Sequence, residues 1–311
     1  MFLVPQVPFQ EPVLLAAFEL GGPTRLVRLS PDGRTVASLE ASGGMFQIRE
    51  VATGKLLVNV KAGGRVRSAN YDPIRQILSS IRADYGPGGQ ENRSLVIAAA
   101  AGSWSPATRP FTRINLVQDL SGTYLILPSP IGGSQMLPTA LLDGAFSWPF
   151  AITVFALDRG RKWAAVCTAQ DLQVVSVPAG HLASRLPWTS GAGSLAVDAR
   201  SKRAVWLGAD QLVVWDYGTG RQKSYKFYTA ASGPVAISAG GKYLFYGTQH
   251  GGVVLFDLDA GKPVFFSGSR EMGSMYATFG VDISDDGREL AAGFWTGELK
   301  VWRTEQSLSR F

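Results

Sequence analysis

One pattern recurs along this chain and limits its fold more than any other feature. LVRLSPDGRTVASLEASGGMFQIREVATGKLLVNV begins at Leu26, and LAVDARSKRAVWLGADQLVVWDYGTGRQKSYKF begins at Leu195. PVAISAGGKYLFYGTQHGGVVLFDLDAGKPVFF begins at Pro234, and VDISDDGRELAAGFWTGELKVWRTEQSLSRF begins at Val281. Each reads as an apolar run, a polar turn ending in a basic residue, a second run, a loop, a third run and a glycine-bearing turn. Most add a fourth run. Short apolar runs punctuated by Gly, Pro and Asp are strands, not helices. Three fainter copies begin at Arg65, Asn115 and Ile152.

The first turn of each copy closes at Arg34, Arg75, Thr123, Arg161, Lys202, Lys242 and Arg288, with gaps of 41, 48, 38, 41, 40 and 46 residues. These bracket the period of about 40–45 residues that four-stranded propeller blades show. In KYLFYG and QLVVWD both alternating faces are apolar. A strand with one buried face alternates apolar with polar, so these strands belong to sheets packed on both sides. A ring of such sheets buries every face and leaves only short edges.

The expected fold is therefore all-β: one domain, a seven-bladed β-propeller of four-stranded antiparallel blades at about 25–62, 65–110, 113–148, 151–187, 194–228, 234–266 and 279–311. Glu11 to Leu20, EPVLLAAFEL, reads as a lone strand before the first unit. The last unit ends in a short SLSRF, so Val13–Leu20 is expected to supply its outer strand beside ELKVWR and close the ring.

Composition agrees. Of 311 residues, 46% are apolar, 17% are charged and 36 are glycine, which suits a compact, turn-rich β protein. The net charge of +6 is a modest excess, serving solubility or favouring an acidic partner. The one cysteine, Cys167, cannot form an internal disulfide and sits in an apolar run as a buried free thiol. The opening MFLVPQVPFQEP has no basic stretch and is broken by prolines, so it is not read as a signal peptide. No run reaches the ~18 apolar residues of a membrane helix. A soluble, cytoplasmic protein without membrane insertion is expected.

Here the chain resembles WD40-type β-propellers. VVWDYGTGR (213–221), VLFDLDAGK (254–262), KVWRTEQS (300–307) and QIREVATGK (47–55) look like that family's third strand and following turn. Trp215–Asp216 is the one full WD dipeptide. The turns SPDGR, SAGGK and SDDGR look like the family's first-to-second-strand turn. The GH dipeptide is absent from its usual place, since Gly180–His181 follows a third strand. Only Asp210 and Asp171 stand where the family carries an Asp before that strand.

Catalytic signatures are few. His181 and His250 are isolated, and no Cys/His spacing suits zinc, so no metal is expected. No G-x-S-x-G and no phosphate-binding loop occurs, and no cofactor is expected. Paired carboxylates remain as an alternative. Asp282 falls in an innermost strand, while Asp158 and Asp198 end equivalent strands where Ser30 and Ser238 stand elsewhere. That equivalence points to turn-capping. A propeller hydrolase, lactonase-like or glycan-cleaving, would instead bring such carboxylates together across a central channel within about 5–9 Å.

The function expected from the resemblance is a non-catalytic protein–protein interaction scaffold, a subunit of a larger assembly. The irregular stretches 82–93, 128–139, 146–150, 186–193 and 267–279 fall on one rim of such a propeller. The candidate rim residues are Tyr85, Arg93, Trp148, Trp188, Arg270, Met275, Tyr276 and Trp295. Trp, Tyr and Arg are favoured interface anchors. Arg65, Arg67, Arg82 and Arg93 form a basic cluster that reads as a solvated face, with an acidic protein groove or a nucleic-acid backbone as the alternative. Nucleic acid is the less favoured partner, because no Lys/Arg run exceeds two residues.

Overall fold

The computed structural model describes residues 12–61, 65–73, 76–85, 91–99, 107–111, 124–128, 134–138, 146–148, 152, 154–160, 162–168, 170–177, 179–188, 193–208, 211–226, 233–248, 251–268 and 277–304. Side chains are described at 12–61, 66, 69, 71–73, 76 and 78, and for the described residues from 152 onward. Among the described residues every regular element is a strand.

The 27 described strands form seven separate antiparallel sheets. The first described strand, β1 (Val13–Glu19), is set apart from its sequence neighbours. Sheet one is β2 (Thr24–Leu29), β3 (Thr35–Glu40), β4 (Met45–Glu50) and β5 (Leu56–Lys61). Sheet two is β6 (Arg65–Asp72), β7 (Ile77–Tyr85), β8 (Glu91–Ala99) and β9 (Ala107–Phe111). Sheet three has three described strands, β10 (Tyr124–Pro128), β11 (Ser134–Pro138) and β12 (Phe146–Trp148). Sheet four is β13 (Val154–Leu157), β14 (Trp163–Cys167), β15 (Asp171–Ser176) and β16 (Leu182–Pro187). Sheet five is β17 (Ser194–Asp198), β18 (Arg203–Leu207), β19 (Gln211–Asp216) and β20 (Arg221–Lys226). Sheet six is β21 (Val235–Ile237), β22 (Tyr243–Gly247), β23 (Val253–Asp257) and β24 (Lys262–Ser267). Sheet seven is β25 (Thr278–Ile283), β26 (Glu289–Phe294) and β27 (Glu298–Arg303), completed by β1. β1 pairs antiparallel with β27 from Val13↔Arg303 to Glu19↔Glu298, as its lone position in the sequence led us to expect.

The two-sided apolar pattern has a direct packing cause. In β22, Leu244 and Tyr246 join a cluster with sheet five, while Tyr243 and Phe245 join a cluster with sheet seven. In β19, Leu212 and Val214 face sheet six, while Val213 and Trp215 face sheet four. Further clusters join sheets one and two, and sheets seven and one. β1 adds Leu15, Ala16, Phe18 and Leu20 to the last of these. Each fully buried side chain of this size contributes about 1.5–3 kcal/mol. The fourth strands β5, β16 and β20, by contrast, are largely exposed, with β20 reading RQKSYK, whereas β24 buries Phe265.

Two hydrogen-bonded turns explain the repeat. Ser30, Asp158, Ser238 and Ser284 each accept a backbone N–H from the fifth residue onward, from Thr35 (3.0 Å), Trp163 (2.8 Å), Tyr243 (3.1 Å) and Glu289 (2.9 Å). Serine hydroxyl and aspartate carboxylate are interchangeable here because either satisfies the same donor. The carbonyls at Arg34, Lys162, Lys202, Lys242 and Arg288 accept N–H from Val51, Val177, Tyr217, Leu258 and Thr304 at 2.8–2.9 Å. In sheet four this station is Lys162, one residue beyond the Arg161 that turn spacing suggests, because the turn opens on Asp158. The later turn of units one, four, five and six closes on Gly54, Gly180, Gly220 and Gly261, with φ of 72°, 69°, 77° and 67°. That left-handed conformation costs glycine nothing.

Three stretches expected as irregular loops are largely strand. In 82–93, β7 and β8 pair in register from Ile77↔Ala99 to Tyr85↔Glu91, so only 86–90 lies between them. In 128–139, β11 pairs with β10, with Ile126 opposite Met136. In 146–150, β12 pairs with β11, with Trp148 opposite Ser134. The described strands of unit three are thus β10, β11 and β12. Glycine and proline density misled the reading: backbone pairing satisfies N–H and C=O groups whatever the side chains above it. The first strand expected near Asn115 lies outside the described residues.

Candidate functional site

Six first strands, β2, β6, β13, β17, β21 and β25, or the turns that follow them, contribute to one cavity of about 160 Å³. Its charged lining is Arg28, Asp158, Arg159, Asp282 and Asp285. Their placement follows from the turn just described, because the first strands of these six sheets end at the cavity. Arg159 is the second residue of the β13–β14 turn and reaches across to other sheets. Its Nη1 lies 2.5 Å from Asp285 Oδ1, and its Nη2 lies 3.4 Å from Asp282 Oδ1. Nη2 also donates to the Ile283 carbonyl, and Nε donates to the Ile237 carbonyl at 3.3 Å. The guanidinium thus ties sheet four to sheets six and seven.

The carboxylates that the hydrolase alternative would use are engaged in turn and inter-sheet hydrogen bonds. Asp282, in β25, accepts the Leu29 N–H of β2 at 2.9 Å as well as its contact with Arg159. Asp158 Oδ1 accepts from the N–H groups of Lys162 (2.9 Å) and Trp163 (2.8 Å), and Oδ2 accepts from Gly160 (3.1 Å). Burial, helped by the charge of Asp198, nonetheless pushes the Asp158 carboxyl above its ordinary range. Asp198 Oδ2 accepts from the Ser201 N–H (2.8 Å) and hydroxyl (2.7 Å), and Asp198 is not part of the cavity lining. Nearby, burial and then the Asp158 and Asp198 charges push the Tyr217 hydroxyl up to about 12. The arrangement builds turns and joins sheets.

The candidate rim residues fare unevenly. Trp295 sits in the β26–β27 turn and is 49% exposed. Its ring lies 5.3 Å from that of Phe279, and the Arg25 guanidinium lies 5.9 Å from the Phe279 centroid on the other strand of this junction. Trp188 follows β16 and is half-buried. It packs edge-on against Trp206 at 4.7 Å and joins the cluster of sheets four and five, so it covers the end of the core. Tyr85 and Trp148 end β7 and β12, and Arg93 lies within β8 opposite Ala83; these three are strand residues, not loop residues. Their side chains, and those of Arg65, Arg67 and Arg82, lie outside the described set. Arg270, Met275 and Tyr276 lie outside the described residues, as do His250 and Asp210. Of the eight candidates, only Trp188 and Trp295 have described side chains, and they stand on different sheets.

Arg159 was missed by sequence reasoning. The signal was present: at the second turn position the other described units carry Pro31, Pro73, Ala199, Ala239 and Asp285. Only units four and seven place charge there, and the charges are opposite.

Among the described residues no group of three or more His, Cys, Asp or Glu is placed to hold a metal ion. No described helix is long and apolar enough to cross a membrane. Burial raises the Cys167 thiol to about 12. Comparison with known proteins finds no matching family model and no matching curated protein.

Proposed function

We propose that the seven sheets are the blades of one seven-bladed, WD40-like β-propeller, with β1 closing the ring, and that it serves as a non-catalytic protein–protein interaction scaffold within a larger assembly. The ring reading draws on the shared cavity at the first strands and on the junctions between successive sheets. The scaffold reading rests on Trp295. A large aromatic ring held half in solvent, backed by Phe279 and Arg25, has the composition of an interface anchor. A lone buried thiol fits work in a reducing cytoplasm.

The alternative, a hydrolase at the central channel, draws on the raised Asp158 carboxyl beside the cavity. Three backbone donors already occupy that carboxylate, and Arg159 occupies Asp282. The observations favour the scaffold.

The test is purification at native expression level with quantitative identification of co-purifying proteins, comparing the wild type with Trp295→Ala. A specific partner depleted about tenfold by the substitution supports the scaffold. Recovery of no specific partner by the wild type overturns it.

A further inference from the structure

The station at which each unit presents a basic residue is fixed by backbone geometry. Arg34, Lys162, Lys202, Lys242 and Arg288 each lock their carbonyl to the later turn of the same sheet. Lys202 is held further by a left-handed backbone, with φ of 56°. The five side chains therefore project from equivalent points at one end of five sheets.

Their electrostatic surroundings divide them into two groups. Arg34 lies 3.6 Å from Asp32 in its own turn, and Arg288 lies 3.6 Å from Asp286 in its own turn. Lys162, Lys202 and Lys242 are exposed, and among the described residues none of them has an ion-pair partner within 4 Å, although Lys242 Nζ lies 5.1 Å from the Tyr243 ring centroid and in the field of Asp257 and Asp259. From Asp158, Asp198 and Ser238 to the fifth residue onward, with Arg159 already paired to Asp282 and Asp285, the described residues carry six Lys/Arg against two Asp. Those two, Asp158 and Asp198, are only 7% and 5% exposed and are engaged in turn hydrogen bonds. Arg203 is already held by Asp259 at 2.7 Å and by the Gly241 carbonyl at 2.9 Å. Asp216 and Asp257, in the adjoining turns, accept backbone N–H groups at 2.8–3.1 Å. The turns are contiguous, because Arg203 joins sheets five and six and Arg159 joins sheets four and six.

We infer that the β13–β14, β17–β18 and β21–β22 turns form a docking surface for an Asp/Glu-rich segment of another protein. This deepens the scaffold reading and rests on it, but it places the second contact at the opposite end of the sheets from Trp295. Charge complementarity selects an acidic occupant, and it speeds encounter more than it tightens the final complex. The station residues are lysines: compact point charges without the planar fork that grips phosphate in two places. The aromatic residues that close two of these turns, Trp163 and Tyr243, pack into core clusters instead of standing out as a platform on which bases could stack. Both facts favour carboxylates over a nucleic-acid backbone.

The experiment titrates fluorescent oligoglutamate into the full chain at low salt and follows anisotropy, with oligothymidylate as a second probe. Lys162→Glu/Lys202→Glu/Lys242→Glu is compared with Arg34→Glu/Arg288→Glu, which alters the same station on the other sheets. A Lys→Gln triple guards against misfolding, and circular dichroism with thermal unfolding confirms that each form is folded. The inference expects oligoglutamate binding that the lysine triple weakens about tenfold or more, that the arginine pair changes less than about twofold, and that added salt weakens. No binding, equal loss in the arginine pair, or tighter binding of oligothymidylate overturns it. The two readings fail separately. A specific partner kept by the lysine triple sinks the acidic-segment inference alone. Recovery of no partner sinks the scaffold and leaves the oligoglutamate result to stand or fall by itself.

Discussion

Arg159 and Asp285 hold the same position in the turns of two different sheets, 126 residues apart, and meet with Nη1 2.5 Å from Oδ1. Asp282 adds a second acceptor at 3.4 Å, and its side chain is only 10% exposed. One guanidinium thereby donates to two carboxylates and two backbone carbonyls at the cavity.

This geometry sets an order of costs. Arg159→Met leaves Asp282 buried beside uncompensated groups and should cost about 1–3 kcal/mol in urea unfolding. Asp285→Ala removes only the 39%-exposed partner, so screening limits its cost to about 0.2–1 kcal/mol. A double-mutant cycle reads the coupling directly; equal costs for the two variants would contradict the geometry.

Phe18 tests the junction between β1 and sheet one. Its ring lies 5.2 Å from the Arg49 guanidinium and 3.3 Å from the position a Cβ would take on Gly54. Phe18→Ala should cost about 1–3 kcal/mol, and removing residues 1–20 should lower the thermal midpoint and expose dye-binding apolar surface. An unchanged midpoint after that deletion would count decisively against a structural role for β1.

Two tryptophans should behave oppositely. Trp215 is 1% exposed in the cluster of sheets four and five, so Trp215→Ala should cost about 3–5 kcal/mol. Trp295→Ala should change stability by less than about 0.5 kcal/mol, since its ring is already half in water. Denaturant midpoints measured side by side distinguish them.

Acid sensitivity should pass through Glu40. Burial pushes its carboxyl up, but the Ser42 hydroxyl and the N–H groups of Ser42, Gly43 and Met45 outweigh burial and hold it below its ordinary 4.5. A carboxyl lowered in the fold contributes stability above its unfolded pKa, and that stability is lost as pH falls through the folded value. Glu40→Gln should therefore be less stable than the wild type at neutral pH, with the gap narrowing on acidification. A gap that stays constant with pH would show that Glu40 acts by shape alone.

Cys167 should be inert in the native state. Its thiol is 4% exposed and raised to about 12, so almost no thiolate is available at neutral pH. Ellman's reagent should label it only on unfolding. Rapid labelling of folded protein would mean that sheet four opens locally.

Strand identity, repeat phase and the outlying β1 were legible because they rest on local signals: period-two apolarity, glycine at left-handed turns, and a Ser or Asp that caps. The turn-capping role of Asp158 and Asp198 was legible for the same reason, since Ser30 and Ser238 fill the same station. Unit three read poorly because its strands are short and interrupted by proline, so β11 looked like loop. The Arg159–Asp285 contact was hidden because it depends on how sheets four and seven face one another, which no local window contains. Trp188 shows the limit from the other side: tryptophan in a loop signals an anchor or a cover equally well, and only Trp206 beside it decides.

The pairing of Val13 with Arg303 has a consequence for biosynthesis. β1 leaves the ribosome long before β27 has been made, so its edge travels unmatched while the intervening sheets can assemble from neighbouring segments. Completion of the final sheet thus registers that translation has passed β27. A polypeptide halted earlier keeps Leu15 and Phe18 on display, a ready mark for the chaperones and proteases that survey unfinished products.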